Sequence, residues 1–141
     1  YAMMRQKLGI TLDGAKGIVD TFLDWLRTAG ADYTNTFLEL QNPGSFDDPI
    51  YSSGEFEQIQ RKVAEVGLDE KIMKQVNPRY IPRNYVVENA LTQYIEDKDL
   101  SRFKALLTVL ENPYESDKAT SRFQQPPPKE FDSAYTTYCN T

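Results

Sequence analysis

The sequence predicts an all-α fold, a compact array of about five to seven helices followed by an extended, proline-containing C-terminal arm. Three observations lead there. Apolar residues recur at steps of three and four through most of the chain up to Pro113. No segment shows convincing strand alternation, and no internal repeat of fixed period is present. A length of 141 residues, 40% hydrophobic and 26% charged, suits one ordinary domain with one core. The expected organisation is a helical domain over residues 1–113 and an extended tail over 114–141.

The opening YAMMRQKL is helix-like and has no cap before it, which reads as part of a larger protein. Thr11 or Asp13 is the expected cap of the next helix, in which Ala15, Ile18, Val19, Phe22, Trp25 and Leu26 form an apolar stripe that Gly30 stops. Asp32 is expected to cap a short helix carrying Tyr33, Phe37 and Leu40, ended by Asn42-Pro43-Gly44. Ser45 to Gly54 is rich in turn formers and reads as an exposed loop. Phe56, Ile59, Val63 and Val66 then define a helix closed by Gly67. Asp69 caps another that holds Ile72, Met73 and Val76 and breaks at Asn77-Pro78, since a residue before proline is pushed out of the α region.

Pro82 fits a first helical turn, where its missing N–H costs nothing. From Asn84 on, Val87, Ala90, Leu91 and Tyr94 lie on one face. The EDKD turn, Glu96 to Asp99, leads to a last helix with Phe103, Leu106, Leu107 and Leu110, started by Asp99 or Ser101 and stopped at Pro113. Beyond Tyr114 no helical period survives, and Pro126-Pro127-Pro128 favours polyproline geometry. Tyr80, Tyr85, Phe123, Phe131, Tyr135 and Tyr138 stand in or beside weakly helical segments. Their aromatic bodies are expected to anchor the tail to a surface, with ordinary core packing the alternative for Tyr80 and Tyr85.

The net charge of -5, with scattered lysines and arginines, argues against nucleic acid as a partner. No apolar run approaches the roughly 20 residues of a membrane span, and no signal-peptide pattern opens the chain, so neither membrane insertion nor secretion is expected. One cysteine and no histidine rule out an intrachain disulfide, the usual zinc sets and histidine-dependent triads within these residues. The acidic groups around Asp47-Asp48, Glu65 to Glu70 and Glu96 to Asp99 lack calcium-loop spacing and read as solvated surface. Arg79, Arg83 and Asn84 have two readings. They can form an anion site at a helix N-terminus, or Asn84 caps its own helix while the arginines pair with nearby carboxylates or carbonyls.

Several segments, in order, resemble the C-terminal part of the selenoprotein O family of kinase-like protein adenylyltransferases. They are Met4-Arg5-Gln6-Lys7-Leu8-Gly9-Ile10, Ala31-Asp32-Tyr33-Thr34, the run NPRYIPRNYVVENAL from Asn77 to Leu91, Glu111-Asn112-Pro113-Tyr114, and the ending QQPPPKEF and YTTYCNT. The resemblance implies a parent enzyme that transfers AMP from ATP to Ser, Thr or Tyr hydroxyls of protein substrates, with magnesium, or manganese in its place. The nucleotide-binding residues of that family precede the region matched, and the chain has no glycine-rich phosphate loop or kinase-type Asp/Asn metal pair. By itself it is therefore expected to be non-catalytic, holding no cofactor and bracing the kinase-like core. Detached from that core, it is expected to self-associate or to expose a sizeable apolar patch rimmed by polar groups.

By the same resemblance Cys139, third from the end, is a redox position able to pair with a cysteine of the kinase-like core. Thr137 stands where members with two closely spaced redox residues carry a further Cys, which excludes a local couple. The nearby terminal carboxylate gives the thiol no local reason to ionise below about pH 8.5. The resemblance places a bacterial member in the cytoplasm and a eukaryotic one in mitochondria. The rival reading is a free-standing helical interaction module that offers its proline-rich arm to a partner, although flanking arginines are lacking.

Overall fold

A computed structural model describes residues 1–12, 15–116 and 118–134. Among the described residues there are eight α-helices, two 3₁₀ turns and no β-strand, which bears out the all-α expectation. The chain divides into two compact units, Tyr1–Arg79 and Tyr80–Thr141. Instead of one core there are two hydrophobic clusters with no shared member.

The first unit contains α1 (Ala2–Lys7), α2 (Lys16–Ala29), α3 (Tyr33–Gln41), α4 (Gly54–Glu65) and α5 (Glu70–Val76). Val19, Phe22 and Leu26 line one face of α2, and Phe56, Ile59 and Val63 one face of α4, so the two helices bury matched stripes at helical spacing. Phe22 meets Phe37 of α3 at 5.1 Å between ring centroids, and the half-buried Trp25 meets Phe56 at 4.8 Å. Caps set the helix starts. Asp32 accepts the Asn35 N–H at 2.8 Å, Ser53 the Phe56 N–H at 3.3 Å, and Asp69 the N–H groups of Lys71 and Ile72 at 2.9 and 3.1 Å. Such caps each contribute about 1 kcal/mol.

Two expectations need correction here. The α2 helix begins at Lys16 with Ala15 in the cap position and no side-chain cap, because the Ala15 carbonyl accepts the first amides, those of Ile18 and Val19. Thr11 stands too early for that role, and Asp13 lies outside the described residues. Residues 45–54 are also more than an exposed loop. Pro49–Ser52 form a 3₁₀ turn that sends Tyr51 into the core, where its hydroxyl lies 3.2 Å from that of Thr36. The buried Glu39 carboxylate accepts the backbone N–H groups of Gly44 and Phe46, which folds the start of this segment back onto α3.

The chain ends α1 in a tight reversal. Gly9 has φ +68°, its carbonyl accepts the Asp69 N–H at 2.8 Å, and Ile10 forms an isolated antiparallel bridge with Leu68. At the other end of α5 the Asn77 amide donates to the Lys7 carbonyl at 2.7 Å, and its oxygen accepts from Lys7 Nζ at 3.2 Å. The Lys7 ammonium also reaches the Val76 carbonyl at 3.4 Å and lies 5.0 Å from the Phe37 ring centroid. Burial pushes its pKa down.

The second unit is built on α6 (Asn84–Asp97) and α7 (Ser101–Glu111). Lys98, at φ 57°, ends α6. Neither Asp99 nor Ser101, the two expected starters, caps α7: Leu100 is its N-cap residue, with its carbonyl accepting the Lys104 N–H at 2.9 Å, while Asp99 accepts the Ser101 N–H at 2.8 Å and its hydroxyl at 2.9 Å just ahead of the helix. These bonds hold the exposed Asp99 carboxyl below its usual pKa. Tyr80, Leu106, Val109 and Phe123 form the second cluster, with Val86, Val87, Ala105 and Leu110 packed against it. The buried edge of α6 therefore runs through Val86 and Ala90. Leu91 and Tyr94, which share the apolar period of Val87 and Ala90, are exposed on the adjoining flank, and so is Leu107 on α7.

The arm also departs from a purely extended path. It contains a 3₁₀ segment, Lys118–Gln124, and α8 (Lys129–Ala134), with the three prolines between them outside any helix. Among the described residues no helix is long and apolar enough to cross a membrane.

Candidate functional site

The start of α6 gathers the polar residues singled out from the sequence. The Arg83 backbone is extended (φ -61°, ψ 131°), and its carbonyl accepts the N–H groups of Val86 and Val87 at 3.0 and 3.1 Å. Arg83 is thus the N-cap residue and Asn84 the first helical one, and α6 has no side-chain cap. The expectation that Asn84 caps its own helix is corrected, because the carbonyl that receives the first helical bonds belongs to its predecessor. Arg83 is only 8% exposed.

Tyr85 ties this corner to the arm. Its hydroxyl donates to the Gln125 carbonyl at 3.1 Å, and its ring stands edge-on to Phe131 with centroids 6.0 Å apart. Burial pushes the Tyr85 phenol pKa up, and the Arg83 charge opposes that shift. Between these groups lies a cleft of about 280 Å³ lined by Ile81, Pro82, Arg83, Asn84, Pro127 and Phe131, besides Tyr85. A guanidinium and the positive end of a 14-residue helix favour negative charge at this edge. Proline and aromatic walls make the rest of the cleft apolar.

A second cleft, of about 320 Å³, opens where Tyr80 meets the 3₁₀ segment of the arm, with Thr108, Asn112, Glu115 and Arg122 on its walls. The Tyr80 and Thr120 hydroxyls are 2.7 Å apart across it, and the Tyr80 N–H donates to the Pro113 carbonyl at 3.2 Å. Docking of the arm through Tyr80, Tyr85, Phe123 and Phe131 follows the aromatic reading of the sequence. Thr120 and the Gln125 carbonyl carry no signal in a sequence, since a hydroxyl and a backbone acceptor become partners only once the arm is folded back.

Arg79 is half-buried and ends the first unit, whereas Arg83 and Asn84 belong to the second. Cys139 lies outside the described residues, as do Tyr135, Thr137 and Tyr138. Among the described residues no group of three or more His, Cys, Asp or Glu side chains is placed to hold a metal ion.

No protein-family model matches the chain. Its similarity to curated proteins runs from end to end. It is 34% identical over 151 residues to the protein nucleotidyltransferase YdiU of Clostridium botulinum (strain Eklund 17B / Type B), which covers 100% of this chain and 30% of that protein. It is 33% identical over 157 residues to the YdiU protein of Rhizobium etli (strain CIAT 652) and 36% identical over 152 residues to that of Alcanivorax borkumensis. Each of those matches takes in 99% of this chain and 31% of the relative. The chain thus spans about three tenths of the length of the curated relatives it matches. Over its whole length the chain is similar to these YdiU proteins, protein nucleotidyltransferases of the selenoprotein O family.

Proposed function

We propose that the chain is the C-terminal helical segment of a protein adenylyltransferase, whose whole length transfers AMP from ATP, with magnesium or manganese, to Ser, Thr or Tyr hydroxyls of protein substrates. In this reading the segment is non-catalytic. It braces the kinase-like core of the same protein and supplies Cys139 as a redox position that forms a disulfide with a cysteine of that core. The compartment follows the organism, cytoplasm for a bacterial source and mitochondrion for a eukaryotic one.

One observation carries the bracing role: the residues of the family-like motifs are occupied with packing. Lys7 and Asn77 bond one another across α1 and α5, and Gly9 sits against α5. Tyr80 and Tyr85 hold the arm. Bonds of this kind suit a scaffolding part of a larger protein.

Calorimetry of the 141-residue chain with ATP and magnesium tests this reading. No binding heat and no labelled AMP on added protein substrates are expected. Micromolar binding accompanied by AMP transfer would overturn it.

A further inference from the structure

The outer flank of α6 is patterned for a partner. Glu88, Leu91, Ile95 and Lys98 follow one another at steps of three, four and three, and all four are exposed, Leu91 by 41% and Ile95 by 67%. Tyr94, 43% exposed, borders this stripe. The Lys98 ammonium is held beside it, 5.6 Å from the Tyr94 ring centroid and 3.2 Å from the Ile95 carbonyl. An apolar pair thus stands between an acid at one end and a base at the other. Such spacing is that of a seam between two helices.

We propose that this stripe is an interface with a second copy of the chain, the two α6 helices lying antiparallel about a two-fold axis. The sequence order is self-complementary in that arrangement. With the axis midway between Leu91 and Ile95 along the helix, Leu91 faces Ile95 of the other copy, and Glu88 faces Lys98 at both ends. A closed two-fold pairing satisfies every member of the stripe with its own counterpart. An acidic membrane surface is a poor alternative, because Glu96, Asp97 and Asp99 gather near the base. The inference is independent of the adenylyltransferase reading. A helix of 14 residues is about 21 Å long, so the interface is small and the dimer dissociates on dilution.

Sedimentation velocity of the chain across a dilution series up to millimolar concentration is the direct test. A reversible monomer–dimer equilibrium is expected, and a monomer throughout overturns the proposal. Leu91→Glu should abolish association, with circular dichroism confirming that the helices persist. Glu88→Lys and Lys98→Glu should each weaken self-association by about three- to tenfold at low salt, since each sets like charges together at both ends. Mixing these two variants should restore pairing, because their charges are again opposite. A merely destabilised fold gives no such rescue, and a dimer indifferent to Leu91→Glu, or a mixture that stays monomeric, sinks the two-fold register.

Discussion

At Gly9 the backbone leaves no space for a side chain. A Cβ there would stand 2.9 Å from Met73 Cγ and 3.0 Å from both the N and O of Asp69, at a φ of +68° that already disfavours any L side chain. Gly9→Ala should therefore cost about 2–4 kcal/mol, the left-handed conformation and the clash adding together. Gly30→Ala is the control, since φ is +65° but nothing lies within 4 Å, and about 1–2 kcal/mol is expected from conformation alone. Urea unfolding of the two variants checks the difference. Tyr51 makes a separate, pH-dependent prediction. Burial pushes its phenol pKa up to about 12 from 10.0, so the folded chain keeps a proton that the unfolded chain releases. The stability this gives is fully present below pH 10 and is lost as pH rises toward 12, by about 2–3 kcal/mol. Tyr51→Phe should remove that part of the alkaline decline, measured as the difference between urea midpoints of the two proteins from pH 9 to 12.

Among the elements, the arm shows how far side-chain chemistry overrides local propensity. The polar, proline-rich run after Tyr114 has no helical period, yet it folds into a 3₁₀ segment and a short helix where Phe123 and Phe131 give it anchors. Phe123 is a member of the second cluster, 8% exposed. Phe123→Ala should cost about 3–5 kcal/mol of local packing and release the arm. Limited proteolysis should then cut between residues 115 and 134 much faster than in the parent chain, while α6 and α7 stay intact. Equal cleavage rates would mean that the two tyrosine hydroxyl bonds suffice to hold it. Helix existence was legible from the apolar period, and the caps Asp32 and Asp69 from residue type and position. The starts of α2, α6 and α7 were not, because which carbonyl receives the first helical bond depends on where the preceding loop delivers the chain.

For the whole molecule, fold class and family resemblance were legible in the sequence, since helical periodicity and the order of short motifs survive without coordinates. The partition into two clusters was not. Length suggested one core, and only the placement of Tyr80 and Phe123 against α7 shows that the chain from Tyr80 on builds a cluster of its own. Of the candidate site, the aromatic anchors could be read from the surplus of tyrosine and phenylalanine. The burial of Arg83 beneath the α6 start could not, because the sequence shows its charge but not the proline and aromatic walls around it. Leu91 and Tyr94 shared the period of core residues and still came out exposed. A helical stripe says that a face is covered by something, and it does not name what covers it.

The contact between Trp25 and Phe56 has an optical consequence. Trp25 is the sole indole of the chain, and it sits in the first unit against α4. Emission excited at the red edge of aromatic absorption therefore reports on that unit alone, while the second unit, whose chromophores are tyrosine and phenylalanine, stays dark. A melting curve followed by this emission and one followed by helical ellipticity sample different portions of the polypeptide. Where they part, the gap between them measures how independently the portion beyond Arg79 loses its structure.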